Sequence, residues 1–349
     1  MKSTKKIYIT TSLIAVGSVL VYWIYRSTTS SRRKPPQRPP VVQRIQSLDE
    51  VRNMKWERVG RVSRLCVYLV KSASPTLVQE AWVEENAFGS GRMKDRCFIL
   101  VTGKGQMLTG RMEPRTVLIK PFLHHDTLTL SFPHTPNLHI NLTHVQANND
   151  KRKTRVWSDD VYGLDCGDEC AQWLEGVLGR KCRLLYNASL PDTPPRTIHL
   201  TDTHTHKFPL LRKDDPSSQY ADLTGYMLMT TESIADLQTR VPQVTLDPLN
   251  FRPNILVEGT PRPYHEDAWM YVRIGEAVFR NVKPCSRCIF TTIDHHSGIK
   301  DVNMEPLRTL RKYRCFDKAD PTTPMLGINL GLDLPGILRV GDDVYVTTM

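Results

Sequence analysis

Asn281-Val-Lys-Pro-Cys285-Ser-Arg-Cys288-Ile-Phe-Thr-Thr-Ile-Asp294 sets two thiols, a guanidinium and a hydroxyl at one junction of the chain. Pro284 predicts a break in the strand before it. The β-branched and aromatic run 289–293 predicts a strand after it, so Cys288 falls where an exposed loop enters a buried strand. Arg287 brings a positive charge beside a sulfur whose anionic form is the nucleophile and the metal ligand. The Cys-x-x-Cys spacing has three readings: a redox pair, half of a zinc site, or two packed small residues. A thioredoxin-like redox pair needs a helix beginning at the pair, where this sequence reads strand. Structural zinc needs a second half, and the candidate Cys166-Gly-Asp-Glu-Cys170 reads as a helix start. On the cysteines alone, packing is the favoured reading, and the rest of the chain has to decide.

Working outward, 349 residues with 40% hydrophobic content have room for one large or two moderate domains. A formal net charge of +11 suits an acidic partner or anionic lipid. Nucleic acid is disfavoured, because no Lys/Arg-dense helix, zinc-finger spacing or aromatic platform accompanies the charge. Residues 7–25 carry no charge and end in Tyr22, Trp23 and Tyr25, which reads as a transmembrane anchor; a cleaved signal peptide would have a shorter apolar region and a small-residue cleavage site. Lys2, Lys5 and Lys6 precede this span and Arg26, Arg32, Arg33, Lys34 and Arg38 follow it, so the heavier positive flank places the globular part in the cytosol. In that reducing compartment the eight cysteines are expected as thiols, and the sequons Asn141-Leu-Thr143 and Asn187-Ala-Ser189 stay bare.

The chain divides into a short basic start (1–6), the anchor (7–25), a Pro/Arg/Ser-rich linker (26–55) and two β-rich domains, 56–190 and 191–349. The fold class is mainly β with a few helices, two barrels behind one transmembrane helix. Val62, Leu65, Val67 and Leu69 share the first strand, and further strands are expected at 97–102, 116–120, 127–132 and 138–142. A helix over 168–178 ends at Gly179. His204 and His206 fall in a Pro/His-rich connection and read as linker, since nothing nearby completes a metal site. The second domain reads as a strand at 225–229, a helix over 233–240 capped by Thr230 or Thr231, and a hairpin of 269–274 and 277–282 about Gly275 that delivers the cysteines. A helix over 307–313 opened by Pro306 and one closing hairpin strand at 337–346 complete it.

Three motifs then combine: Asn250-Phe-Arg252-Pro-Asn254, the loop Lys283-Pro-Cys285-Ser-Arg-Cys288, and the terminal Val340-Gly-Asp-Asp-Val344. Together they resemble the MOSC domain, while Lys71-Ser72 after the first strand and Asp95-Arg96 before the next resemble its N-terminal barrel partner. With the anchor added, the chain is similar to the mitochondrial amidoxime-reducing branch of that family. The resemblance implies a Mo-molybdopterin cofactor with Cys288 as the molybdenum ligand and catalytic sulfur, and leaves Cys285 either as packing or as a support standing behind the site. It implies cofactor contacts from Lys71, Ser72 and Arg96 in the first half and from Asp222, Thr224, Arg252, Asn254, Ser286, Arg287 and Asn329 in the second. Such a set is chemically sensible, because a molybdopterin carries a phosphate and a dithiolene and calls for cationic and hydroxyl donors plus one soft thiolate.

The implied activity is a molybdenum-dependent two-electron reduction of amidoximes, hydroxylamines and N-hydroxyguanidines. The chain has no haem-attachment Cys-x-x-Cys-His and no Gly-x-Gly-x-x-Gly, so electrons come from outside. The resemblance supplies NADH, cytochrome b5 reductase and cytochrome b5 as their route, on the outer mitochondrial membrane, with a monomeric catalytic part facing the cytosol. Two rivals stand beside it. One is a MOSC module that carries or sulfurates the molybdenum cofactor without reductase activity, although the sulfurase has a large pyridoxal-phosphate domain for which this chain has no room. The other is a membrane-tethered binding protein with no chemistry.

Overall fold

Glu57–Val67 is the strand on which both halves of the protein are built. Its eleven residues bury Val59, Val62, Leu65 and Val67, and it pairs antiparallel with Ile255–Glu258 on one side and Asp343–Thr348 on the other. The structure, a computed structural model, describes residues 45–84, 87–187, 196, 208, 210–212, 215, 220–317 and 320–348. The expected membrane span at 7–25, most of the linker after it, and His204 and His206 lie outside these residues. Among the described residues no helix is long and apolar enough to cross a membrane.

The largest sheet has eight strands in the spatial order Ile255–Glu258, Tyr226–Thr230, Met325–Leu334, Ala277–Ser286, Trp269–Ile274, Asp343–Thr348, Glu57–Val67 and Thr76–Val78. Because Glu57–Val67 also pairs with Ile255–Glu258, all but Thr76–Val78 close into a barrel and no edge is left open between them. Alternate residues fill its interior: Trp269, Val272, Phe279, Ile328, Leu330, Val344 and Val346 are buried, each large side chain contributing about 1.5–3 kcal/mol. Residues of the first half thus complete the barrel of the second. The exchange is mutual, since Gly336–Arg339 pairs with Glu80–Glu84 in a four-stranded sheet with Ala87–Ser90 and Met93–Lys94. Two further sheets, one of Phe98–Thr102 with Lys151–Val156, Asp159–Asp165 and Cys182–Tyr186 and one of Lys120–His124, Thr127–Phe132 and Thr135–Asn141, complete the first half.

Where hydrophobic period and capping agree, sequence and structure coincide. Asp168–Leu178 is a helix with Cys170, Leu174, Val177 and Leu178 buried and Gly179 in the left-handed C-cap. Thr230 caps Thr231–Arg240, its hydroxyl accepting from Ser233 N. Cys166 and Cys170 belong to the core, and burial pushes both thiols up.

Four expectations are corrected. Residues 116–120 do not form a strand: Pro114 opens a 3-10 helix, Pro114–Leu118, and the Thr116 hydroxyl bonds the Glu113 carbonyl at 2.9 Å. The closing segment 337–346 is two strands, Gly336–Arg339 and Asp343–Thr348, parted by a turn at Gly341 (φ +95°) and sent into different sheets. Pro284 does not end its strand. Ala277–Ser286 runs through it by shifting register between Asn281 and Lys283 and again between Pro284 and Ser286, so the missing N–H falls in an irregular stretch of the ladder. The helix after Pro306 spans only Leu307–Leu310 before loosening into turns.

Candidate functional site

A fifth correction concerns the cysteines themselves, together with the strand expected after them. Strand leads into the pair, and a 3-10 helix, Ile289–Thr292, follows it. The Cys288 carbonyl accepts from Thr291 N at 3.1 Å and from the Thr291 hydroxyl at 3.0 Å, while the Thr292 hydroxyl bonds the Ile289 carbonyl. Those local bonds turn a run that reads as strand into a tight helical turn. Arg287 holds the turn down. Its guanidinium is buried, donating from Nε to the Leu326 carbonyl at 2.8 Å, from Nη1 to the Phe251 carbonyl at 2.7 Å and from Nη2 to Leu326 again. Cys288 is left exposed at the end of this clamp, whereas Cys285 packs against the smaller core with Tyr264 and Tyr313.

Facing the thiol turn is a wall of cations from both halves. Lys71, 6% exposed, gives its ammonium to the Tyr220 carbonyl and to Asp222 Oδ1, both at 2.7 Å; burial pulls its pKa down against the pull of Asp222. Burial would also raise the Asp222 carboxyl, but the Lys71 and Arg96 charges and the hydrogen bonds from Lys71 and Trp157 outweigh it and hold the acid down at about 2. Arg96 pairs with the buried Asp95, whose carboxylate also accepts from Tyr68 N at 2.7 Å and Asn254 Nδ2 at 3.0 Å. Asn254 is wholly buried and its side chain is spent inside the protein, on Cys66 O, Asp95 and Met227 N.

Arg252 differs from these. Nη1 donates to the Ala73 carbonyl at 2.6 Å and the guanidinium carbon lies 4.1 Å from the centre of the Tyr68 ring, but Nη2 is buried without a hydrogen-bond partner. Burial lowers the Arg252 pKa to about 10. Ser72, Arg96 and Arg252 all have left-handed backbone, with φ of +73°, +50° and +57°. Non-glycine residues rarely adopt it, and such strain gathers where surrounding structure fixes a ligand site.

Lys71, Ser72, Arg96, Asp222, Thr224, Arg252, Asn254, Ser286, Arg287, Cys288 and Asn329 all line one cavity of about 430 Å³. Thr224 donates to the Tyr226 carbonyl, and Asn329, opposite Met227 and Lys283 in the sheet, donates to the Lys283 carbonyl. Sequence reasoning missed Arg111, Trp157, Lys283 and Phe290, which share the lining, and gave Asp95 no role. Arg111 and Trp157 lie in turns far from the motifs in sequence, where only three-dimensional proximity reveals them. Among the lining residues six cations stand against one carboxylate, Asp222, around an exposed thiol. Chemically that is a receptor for a polyanionic ligand with a soft-metal ligand at its mouth.

A closed β-barrel completed by a first-half strand, with this cavity where the halves meet, defines a two-part β architecture, and the family models agree. Residues 59–181 match the MOSC N-terminal beta barrel domain and residues 215–345 the MOSC domain. The chain belongs to the MOSC family, in the branch of the mitochondrial amidoxime-reducing components. It is 34% identical over 300 residues to mitochondrial amidoxime-reducing component 1 of Mus musculus, covering 84% of each chain. It is 35% identical over 299 residues to component 1 of Danio rerio, covering 85% of this chain and 88% of that one, and 32% identical over 298 residues to component 2 of Homo sapiens, covering 84% and 85%.

Proposed function

We propose that the cavity holds a molybdopterin-type cofactor and that the protein uses it to reduce N-hydroxylated compounds such as amidoximes. The observation that carries this reading is Arg252 Nη2, a buried donor without a partner in the wall of a cation-lined cavity that opens on the Cys288 thiol. A buried guanidinium with an unmet donor is unfavourable unless an anion completes it, and a phosphate does so with a charge-assisted bond. The relatives' names, amidoxime-reducing components, support the substrate class.

Within this reading Cys288 supplies the soft thiolate to the metal, and Arg252, Lys71 and Arg96 neutralise the cofactor's anionic groups. Arg287 and Asn254 hold the turn and the wall in place through backbone carbonyls and Asp95. When bound, the cofactor supplies a two-electron reduction that converts R–NH–OH, two electrons and two protons into R–NH2 and water. Asp222, held ionised beside Lys71, is a partner for that cation rather than a proton donor, and Cys288 lies exposed to solvent at the mouth. Electrons arrive from NADH through cytochrome b5 reductase and cytochrome b5, which the net charge of +11 helps to dock, with residues 7–25 tethering the protein to the outer mitochondrial membrane.

The purified full chain should contain molybdenum and reduce benzamidoxime when given an electron donor, and Cys288→Ala should lose that turnover while remaining folded. A protein without molybdenum would overturn the reading. Molybdenum without reduction would assign the chain to cofactor carriage instead.

A further inference from the structure

Trp157 is the large aromatic of the cavity lining that the reading above leaves unused. It sits in the turn joining Lys151–Val156 to Asp159–Asp165, with φ +58°, a backbone conformation that a bulky residue rarely adopts. It is 51% exposed and lines the cavity, so half of a large apolar surface stays in water at the mouth. Yet the ring is fixed rather than loose. Its Nε1 donates to Asp222 Oδ1 at 3.0 Å, and the Arg111 guanidinium lies 4.7 Å from its centre. Arg111 is itself steadied, its carbonyl accepting from Lys300 Nζ at 2.7 Å. Two separate segments therefore hold one indole in a strained turn, and a third steadies one of them.

The division of labour across the cavity says what the ring faces. Of the three cations assigned to the anion, Lys71 is buried and Arg96 and Arg252 are half-buried, so that wall lies deeper than the entrance, where Cys288 and Trp157 are exposed. An incoming substrate meets the entrance. Arg111 shows what the indole accepts: a flat, delocalised CN3 group whose carbon lies 4.7 Å from the ring centre, the same planar shape as the head of an amidoxime or N-hydroxyguanidine.

We propose that Trp157, braced by Arg111 and Asp222, is a specificity-determining stacking wall that selects flat N-hydroxylated substrates, amidoximes and N-hydroxyguanidines, over aliphatic hydroxylamines. The proposal rests on the reductase reading for its substrates and on geometry for the ring.

The test uses the full chain with its cofactor, benzamidoxime as the flat substrate and N-cyclohexylhydroxylamine as the puckered one. Trp157→Ala is expected to lower the ratio of their kcat/KM values by about tenfold, the size of one well-formed stacking contact, while Trp157→Phe holds the ratio within about threefold. Independently of turnover, the emission lost between wild type and Trp157→Phe is expected to be quenched by benzamidine and not by cyclohexylamine. An unchanged ratio in Trp157→Ala overturns the proposal. So does an equal loss in Trp157→Phe, which would give the role to the N–H tie with Asp222, or a fall in molybdenum content that matches the lost activity, which would give the ring to the cofactor. If wild type reduces neither substrate the reductase reading fails, and the quenching alone still decides whether flat ligands stack on Trp157.

Discussion

Two arginines, the buried Arg280 and the half-buried Arg252 with its Nη2 out of solvent, occupy opposite situations in the same fold. Arg280, 1% exposed, donates from Nε to Asp333 at 2.5 Å, from Nη2 to Asp215 at 2.6 Å and from Nη1 to the Leu210 carbonyl at 2.6 Å. Burial would lower its pKa, but the two carboxylates outweigh that and raise it. Arg252 has aromatic rings and one carbonyl, no carboxylate contact and one unmet nitrogen, and its pKa falls. The difference separates a charge buried to join chain segments from a charge buried to receive something. Asp333 also accepts from Ile45 N, so Arg280 ties the start of the described chain, Leu210 and Asp215 to the barrel.

Breaking each side should give opposite signatures. The largest effect belongs to the cavity side: Cys288→Ala is expected to remove amidoxime reduction altogether while shifting unfolding by no more than about 0.5 kcal/mol, because the side chain is exposed. Activity assay and urea titration read the two halves of that statement. On the other side, Arg280→Ala leaves Asp215 and Asp333 buried without their cation, and is expected to destabilise by about 3–5 kcal/mol in the same titration. Arg252→Met sharpens the contrast. It removes a guanidinium with an unmet donor, so unfolding should move by less than about 1 kcal/mol while molybdenum retention against a chelator falls about tenfold to a hundredfold.

The smallest effect comes from His295, whose ring lies 6.2 Å from Phe290 and has both nitrogens buried without partners. Burial, aided by the Arg252 charge, lowers its pKa from 6.5 to about 4. Between those two values the unfolded chain binds the proton and the folded one does not, so stability is full above pH 6.5 and declines as pH falls towards 4. A loss of about 1–2 kcal/mol across that window is expected, and His295→Phe should flatten it in urea titrations run at each pH.

How much of this was legible in the sequence depended on range. The hairpin about Gly275, apart from the run of its second strand through Pro284, the helix Asp168–Leu178 and a cap at one of Thr230 and Thr231 are written in local period and capping, and they read correctly. Ile289–Thr292 did not, because threonine hydroxyls bonding nearby carbonyls overrode a β-branched run. The motif residues did converge on one cavity, but their labour was not legible: Arg287 and Asn254 turn inward to carbonyls and Asp95, and Arg252 keeps a buried donor unmet. Trp157 and Arg111 had no sequence signal at all, since a turn aromatic and a turn arginine are ordinary until distant segments bring them together.

The exchange of strands has a consequence for biosynthesis. Glu57–Val67 leaves the ribosome well before the strands it needs as neighbours, Ile255–Glu258 and Asp343–Thr348. The barrel therefore closes only after Asp343–Thr348 has emerged, and a nascent chain stalled between the two halves exposes an unpaired, apolar strand edge. Loading of any cofactor between the halves is a post-translational event, and truncations that separate them should yield two aggregating fragments rather than two domains.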